Sequence, residues 1–152
     1  MTGAASNIHA GLVRVGTAGV LVLGPARSGK SSLAVSLLRA AAREGLEAAL
    51  VADDRVVLER RDCRLVGRAP ETIAGLIELS GIGILRVPAI AEAEIALVAE
   101  LVHEAERLPE RSTVELAGVA LPRLVLPARQ APFAADLLLT VLGPGVDALL
   151  DR

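Results

Sequence analysis

The stretch Gly24-Pro25-Ala26-Arg27-Ser28-Gly29-Lys30-Ser31 decides the fold, because it fits the pattern G-x-x-x-x-G-K-[ST]. The run before it, Val20 to Leu23, is apolar and β-branched and predicts a buried strand. The run after it, Ser32 to Arg43, is rich in Ala, Leu and Arg and predicts a helix. A strand, a glycine loop and a helix in this order predict a phosphate-binding loop, in which backbone N–H groups and the helix N-terminus hold phosphate oxygens. The alternative is a turn that merely links the strand to the helix.

The basic residues strengthen the phosphate interpretation. Lys30 is the only lysine in the chain, and every other cationic side chain is arginine. A compact ammonium on a flexible stem suits the β- and γ-phosphates of a nucleotide. We therefore predict that residues 24–32, including Ser32, bind ATP.

The whole chain has 152 residues, which is the length of one domain, and residues 1–7 are expected to be disordered. It is 53% hydrophobic but only 1% aromatic, and its formal net charge is −2. A chain without a basic field or aromatic platforms is not expected to bind nucleic acid, and no apolar run is long enough to span a membrane. Cys63 has no disulfide partner and the N-terminus has no signal-peptide pattern, so we expect a cytoplasmic protein.

The remaining pattern predicts an α/β domain with a mixed sheet and flanking helices. Strands are predicted at Ile8–Val15, Ala48–Ala52, Arg55–Glu59, Cys63–Val66, Thr113–Leu116 and Arg123–Leu126. Helix Ser32–Arg43 should end at Gly45 as its C′ residue, and a helix at Ala131–Leu142 should stop at Gly143-Pro144-Gly145. The segment Glu92–Arg107 is ambiguous, and its Ala and Glu content favours a helix.

Two acidic features accompany the loop. Asp53 and Asp54 follow a buried strand, so their carboxylates should lie at the carboxyl edge of the sheet beside the phosphate loop, although Asp also favours turns. Glu78 stands among apolar residues and glycines. A buried carboxylate needs a partner, and either a metal ion or a structural hydrogen bond could supply it.

Several blocks resemble the catalytic domain of HPr kinase/phosphorylase, a bacterial serine kinase, most closely the short alphaproteobacterial forms without an N-terminal domain. The resemblance covers roughly residues 9–142. It rests on the phosphate loop and on these blocks: His9-Ala10, Leu50-Val51-Ala52-Asp53-Asp54-Arg55-Val56, Ala69-Pro70, Glu78-Leu79-Ser80-Gly81-Ile82-Gly83-Ile84 and Gly118-Val119-Ala120-Leu121-Pro122. The phosphate loop is shared by many families, whereas the acidic and glycine-rich blocks are more specific.

The resemblance implies a role for each matching residue. Lys30 would hold the β- and γ-phosphates, Ser31 would bind Mg²⁺, and Glu78 matches the acidic metal residue. Asp54 matches the proton acceptor, with Asp53 supporting the metal and the loop. His9 matches an active-site histidine, and Arg107 falls where the family has a catalytic arginine, although Arg111 is close by. The resemblance also implies a strand at Ile95–Leu101, HPr as the protein substrate and a homo-oligomer, typically a hexamer.

Two departures leave alternatives open. Ser80 stands where the family usually has Arg, and the segment after Pro127 lacks the Gly-Arg-Asn element linked to dephosphorylation. The reverse reaction is therefore in question. A kinase of the same fold with another substrate, or a nucleotide-binding regulatory module with weak transfer activity, remains as an alternative function.

Overall fold

A computed structural model describes residues 5–143 as a mixed sheet with two helices and one separate hairpin. The strands are β1 (Ser6–His9), β2 (Gly11–Val15), β3 (Ala18–Leu23), β4 (Ala48–Ala52), β5 (Arg55–Arg61), β6 (Arg64–Arg68), β7 (Leu76–Leu79), β8 (Gly83–Arg86), β9 (Glu92–Val102), β10 (Ser112–Leu116) and β11 (Val119–Pro127). The helices are α1 (Lys30–Arg43) and α2 (Ala131–Leu142), and a 3-10 turn covers Glu71–Ile73.

The order and direction of the strands bring the chemistry to one edge of the sheet. Strand β3 has β2 antiparallel on one side and β9 parallel on the other. Strand β4 runs antiparallel to β2, and β11 runs parallel to β9. Consequently β3, β4, β9 and β11 end at the same edge, and β2 begins there. The phosphate loop, the Asp pair and the segment before β2 therefore meet at this edge.

Both faces of the central sheet are buried, which explains the continuous apolar runs of the sequence. On one face the helices α1 and α2 cover a core that includes Val20, Val22, Leu33 and Leu138. On the other face Leu21 joins a second core built with residues of β5, β6 and β9. With one Phe and no Trp or Tyr in the chain, these cores consist of aliphatic side chains, as the composition predicts.

The predicted α/β architecture is confirmed, and most predicted elements are present. Strand Val20–Leu23 lies within β3, and the predicted strands near residues 48, 55, 64, 113 and 123 correspond to β4, β5, β6, β10 and β11. Helix α1 starts at Lys30 and ends at Arg43, and Gly45 follows with a φ of 73°, as expected of a C′ glycine. Helix α2 covers Ala131–Leu142, whereas the predicted stop at residues 144 and 145 and the tail after it lie outside the described residues.

Three expectations about the elements are wrong. The single strand Ile8–Val15 is two strands that meet at Ala10, because the residues before it pair with β5 and those after it pair with β3 and β4. The expected disorder of residues 1–7 fails at Ser6 and Asn7, which pair with β5, while residues 1–4 lie outside the described part of the chain.

The third wrong expectation is the helix that residue propensity favours over Glu92–Arg107. This segment contains strand β9, which pairs with β6, β3 and β11, and the strand implied by the family resemblance at Ile95–Leu101 is confirmed. Three partner strands provide hydrogen bonds and burial that a weak helical preference cannot match.

Candidate active site

The phosphate loop connects β3 to α1, and two glycines give it its shape. A Cβ on Gly24 would lie 2.6 Å from Ser28 Oγ and 3.1 Å from Leu101 Cβ, so any side chain there would collide. Gly29 has a φ of 92°, in the left-handed region that glycine adopts at little cost. The loop therefore reaches the N-terminus of α1 as an open cradle of backbone groups, which fits phosphate oxygens.

Lys30, the first residue of α1, points back over this loop. Its side chain is 9% exposed, and Nζ donates to the Gly24 carbonyl at 2.9 Å and to the Pro25 carbonyl at 3.0 Å. Burial lowers the pKa of the ammonium, while the nearby Asp54 and Asp53 act in the opposite direction. The Lys30 ammonium thus lies beside the backbone of the phosphate loop, as the sequence predicts. Phosphate oxygens could take the place of the two carbonyl oxygens that now accept its hydrogen bonds.

Ser31 and Asp53 are joined across the gap between α1 and the end of β4. Ser31 Oγ donates to Asp53 Oδ1 at 2.7 Å, and the Glu78 backbone N–H donates to Asp53 Oδ2 at 3.1 Å. Asp53 is only 7% exposed. Both of its oxygens are therefore used to hold the Ser31 hydroxyl and the start of the Glu78 segment in place.

His9 and Asp54 form a second pair at the same edge. Strand β1 pairs with β5 in a register that sets His9 opposite Arg55, so the His9 side chain lies next to Asp54. His9 Nε2 is 2.9 Å from Asp54 Oδ1, and the Asp54 side chain is 67% exposed. Asp54 has a φ of 69°, a conformation that Asp tolerates better than most residues. Its carboxylate consequently faces solvent while its neighbour Asp53 is buried.

These residues line one cleft of about 230 Å³. Its walls are His9, Ala26, Arg27, Gly29, Lys30, Ser31, Ser32, Asp53, Asp54, Glu78 and Ser80. The structure thus brings together the loop, both aspartates, the histidine and the glutamate that the sequence singles out. It also brings in Ser80, the position at which this chain departs from the pattern of the family it resembles.

Arg107 is not brought to this cleft. It lines another groove with Arg111 and the exposed Phe133, between the segment after β9 and helix α2. The catalytic role that the resemblance implies for Arg107, or for Arg111 in its place, stays a prediction.

Glu78 differs from its sequence-based description in one respect. The residue is exposed, although its neighbour Ile77 is buried, so the argument from the cost of a buried carboxylate does not apply. In the described part of the chain its carboxylate has no hydrogen-bond or ion-pair partner, whereas its backbone N–H donates to Asp53 and its backbone lies opposite Ile84 of β8. The structural hydrogen bond proposed as an alternative for the carboxylate is therefore not present, and the side chain is free to bind a ligand in the cleft.

The oxygen donors of the cleft fit Mg²⁺. Hydroxyl and carboxylate oxygens are the ligands that Mg²⁺ prefers, and it is commonly bound through one or two carboxylates together with substrate phosphates and water. Across residues 5–143 no cluster of three or more His, Cys, Asp or Glu side chains is arranged to hold a metal ion. A sparse site of Ser31 and Glu78, with Asp53 behind Ser31, agrees with an ion whose remaining ligands come from phosphate and water.

Sequence reasoning missed one contributor to the loop. Arg129, after β11, donates from Nε to the Arg27 carbonyl at 3.0 Å and from its backbone N–H to the Ser28 carbonyl at 3.0 Å. The contact spans about a hundred residues of chain, and no local pattern indicates it. The only signal in the sequence is that Arg129 is the single cation of the short segment 128–130 that follows Pro127.

These features define a P-loop α/β domain with an acidic strand end beside the loop. The chain belongs to the family of the HPr serine kinase C-terminal domain, whose family model matches residues 2–142. The resemblance found from its motifs is therefore confirmed.

Named relatives and a solved structure agree with this assignment. The HPr kinase/phosphorylase of Caldicellulosiruptor bescii is 40% identical over 135 residues, which are 80% of this chain and 42% of that protein. The same enzyme from Limosilactobacillus reuteri is 33% identical over 137 residues, or 81% of this chain and 41% of the relative. The Hpr(Ser) kinase/phosphatase of Coxiella burnetii superimposes with a TM-score of 0.73 at 27% identity, covering 89% of this chain and 94% of that one. The chain thus spans about two fifths of the length of the curated relatives.

Neither helix within residues 5–143 is long and apolar enough to cross a membrane.

Proposed function

We propose that this chain transfers the γ-phosphoryl group of ATP to a serine hydroxyl of an HPr-like phosphocarrier protein. The observation that carries the proposal is the single cleft in which a phosphate loop with Lys30 faces the exposed Asp54. Phosphoryl transfer requires positioning and charge neutralisation more than covalent chemistry, and the cleft supplies both. The names of the relatives support the protein substrate.

Each residue has a part that follows from its geometry. The loop amides and Lys30 bind the phosphates, and Ser31 and Glu78 hold Mg²⁺, which supplies positive charge against the phosphate oxygens. Asp53 keeps the Ser31 hydroxyl in place through the 2.7 Å bond. Because Asp53 is buried and each of its oxygens already accepts a hydrogen bond, it is less suited than the exposed Asp54 to receive a proton from an incoming substrate.

Asp54 is the residue suited to accept the proton of the serine hydroxyl. Its Oδ1 is bonded to His9, and its Oδ2 has no partner among residues 5–143, so this oxygen is open to the substrate. For His9 to donate, its Nε2 must carry the proton, and the bond then fixes the orientation of the carboxylate. A carboxylate that is exposed at a cleft mouth and held by a neighbour fits a general base for a bulky substrate.

A protein rather than a small molecule is favoured by the hairpin of β7 and β8. Glu78 pairs directly with Ile84 across this hairpin, so the two side chains project from the same face. Ile84 is 70% exposed and Ile82, in the turn, is 71% exposed. An exposed apolar surface next to a polar cleft is typical of a protein-binding site. We propose that the phosphocarrier protein covers this surface while its serine enters the cleft.

The decisive experiment is incubation of the purified chain with labelled ATP, Mg²⁺ and purified HPr. Label on an HPr serine is expected. ATP binding without transfer to HPr would favour the regulatory module, and transfer to another acceptor from a cell extract, but not to HPr, would favour a kinase of the same fold with a different substrate. Absence of ATP binding would contradict all three functions.

A further inference from the structure

Arg129 contacts the phosphate loop from outside the cleft. It follows strand β11, whose carboxyl end lies at the same edge of the sheet as that of β3. Its Nε donates to the Arg27 carbonyl, and its backbone N–H donates to the Ser28 carbonyl, both at 3.0 Å. Arg129 does not line the cleft that holds Lys30 and Asp54; it lines an adjoining hollow that shares Arg27, Gly29, Ser32 and Ser80 with the cleft.

The two bonds fix the direction of two consecutive peptide units. In a trans peptide the carbonyl and the following N–H point to opposite sides, so a carbonyl held toward Arg129 turns the next N–H away from it. The Ser28 carbonyl is held in this way, and the Gly29 N–H is therefore directed away from Arg129. The Ser28 N–H is bonded to the Pro25 carbonyl at 3.2 Å, whereas the Gly29 N–H is a backbone donor of the kind on which phosphate binding depends.

The backbone at this contact adopts conformations that need support. Arg27 has a φ of 65° and Arg129 a φ of 59°, and neither is a glycine. Residues other than glycine rarely occupy this region, and they persist there when the surrounding structure holds them. The backbones are also close, since a Cβ on Gly29 would lie 3.5 Å from the Arg129 nitrogen. Each side of the contact thus stabilises the unusual conformation of the other.

We propose that Arg129 is a positioning residue that holds the phosphate loop in its nucleotide-binding shape through its two hydrogen bonds to loop carbonyls. This inference rests on the proposed function, because it assigns a role in the same ATP site. It predicts that the guanidinium contributes to nucleotide affinity through the Arg27 carbonyl.

The test compares two substitutions that keep the backbone and the length of the side chain. Arg129→Met removes the donor to the Arg27 carbonyl, and Arg129→Lys keeps a donor of similar reach. Arg39→Ala, on the exposed face of α1, is the control for loss of a surface arginine. Calorimetry with ADP and Mg²⁺ measures nucleotide affinity without any protein substrate, and thermal melting measures folding.

Arg129→Met should weaken ADP binding by about three- to tenfold, the effect of one exposed hydrogen bond, with a melting temperature close to that of the wild type. Arg129→Lys should recover part of the affinity, and Arg39→Ala should bind like the wild type. In the transfer assay, Arg129→Met should raise the KM for ATP and leave kcat at saturating ATP nearly unchanged.

Equal ADP affinity in Arg129→Met and the wild type would overturn the inference. A lower kcat with an unchanged KM would also overturn it, because Arg129 would then act on the reacting groups. Should Arg129→Met fail to fold, Arg129→Gly replaces it, since glycine adopts the same φ without strain and still lacks the guanidinium; unchanged affinity in that variant would be equally contradictory. A wild-type chain that bound no ADP would refute the proposed function itself, and this result is distinct from a defect confined to the variants.

Discussion

Two adjacent aspartates of the site lie in different surroundings. Asp53 is buried, with one oxygen bonded to Ser31 and the other to the Glu78 backbone, whereas Asp54 is exposed and bonded to His9. The left-handed φ of Asp54 turns the two side chains in different directions. This difference supports the proposed roles, in which Asp53 holds Ser31 near Mg²⁺ and Asp54 meets the substrate.

Lys30→Ala should weaken nucleotide binding and lower phosphoryl transfer by about 10²–10³, the effect of removing a charge-stabilising donor. The physical reason is that the described cleft would lose the ammonium that Gly24 and Pro25 hold beside the loop. Calorimetry with ADP and the transfer assay measure the two effects. Equal affinity and equal activity in this variant would refute the assignment of the loop.

The pH dependence of ADP binding provides a second test that the Lys30 ammonium binds phosphate. Burial lowers the Lys30 pKa from its ordinary value of 10.5, so the ammonium loses its proton at a lower pH than a lysine in solution. Only the charged form attracts phosphate, and affinity should therefore fall as the pH rises through this lowered pKa. Lys30→Arg keeps its charge throughout this range and should not show the fall.

Glu78→Gln should raise the Mg²⁺ concentration required for activity and leave thermal stability nearly unchanged. The substitution removes the charge but keeps the shape, and the exposed carboxylate has no partner in residues 5–143 whose loss could destabilise the fold. Activity titrated against Mg²⁺, together with thermal melting, measures both effects. A large loss of stability with normal Mg²⁺ dependence would instead indicate a structural role.

Among the helices and strands, the sequence predicts best those that depend on residues close together in the chain. The loop, the strand before it and the helix after it follow from residues that are neighbours in the chain, and so does the Asp pair at the end of β4. Strand β9 is different: its Ala and Glu content favours a helix, but pairing with three other strands decides its structure. Such pairing depends on distant residues and cannot be derived from composition.

The candidate site shows the same limit. His9 comes next to Asp54 because β1 pairs with β5, and Arg129 reaches the loop because β11 lies beside β9. Neither placement follows from local patterns. The role of His9 came from the family resemblance, and Arg129 became visible only in the structure. The exposure of Glu78 was also missed, because apolar neighbours in a sequence do not imply burial in a two-stranded hairpin.

The hairpin of β7 and β8 supports a prediction about the protein substrate. Ile82→Ser and Ile84→Ser should raise the KM for HPr several-fold and leave ADP affinity unchanged, because both side chains are exposed beside the cleft but do not line it. Burial of an isoleucine side chain contributes about 1.5–3 kcal/mol, an upper bound for each loss. Steady-state kinetics with varied HPr measures the effect, and Leu108→Ser, exposed in a different loop, is the matched control. Unchanged KM values for HPr in both hairpin variants would show that this surface does not bind the protein substrate.

At the scale of the whole molecule, the balance between forward and reverse reactions depends on the charge of the cleft. The reverse reaction brings phosphoserine and inorganic phosphate together, so it places more negative charge in the site, and arginine pairs with phosphate through two bonds. Ser80 lines the cleft where the family usually has such an arginine. In the proposed function the forward reaction uses Lys30 and Mg²⁺ to neutralise ATP, so we expect it to be less affected.

We therefore expect the wild-type chain to phosphorylate HPr more efficiently than it dephosphorylates phosphoserine-HPr, and Ser80→Arg to raise the reverse rate. The measurement is dephosphorylation in excess phosphate beside phosphorylation with ATP for both proteins. Robust dephosphorylation by the wild type, unchanged in Ser80→Arg, would show that this departure has no functional consequence. The homo-oligomer implied by the family, typically a hexamer, stays a prediction that light scattering on the purified chain can test.

In the proposed mechanism, Asp54 activates a serine of a protein substrate for attack on ATP bound by the loop. The most direct measurement is the rate of phosphoserine formation on HPr, determined by mass spectrometry, for the wild type, Asp54→Asn and Asp53→Asn, with ADP affinity measured on the same samples. Asp54→Asn should bind ADP like the wild type and lose about 10²–10⁴ in transfer rate, because positioned base catalysis contributes that much. If Asp54→Asn transferred phosphate at the wild-type rate and Asp53→Asn were inactive, this mechanism would be wrong. The roles of the two aspartates would then have to be exchanged.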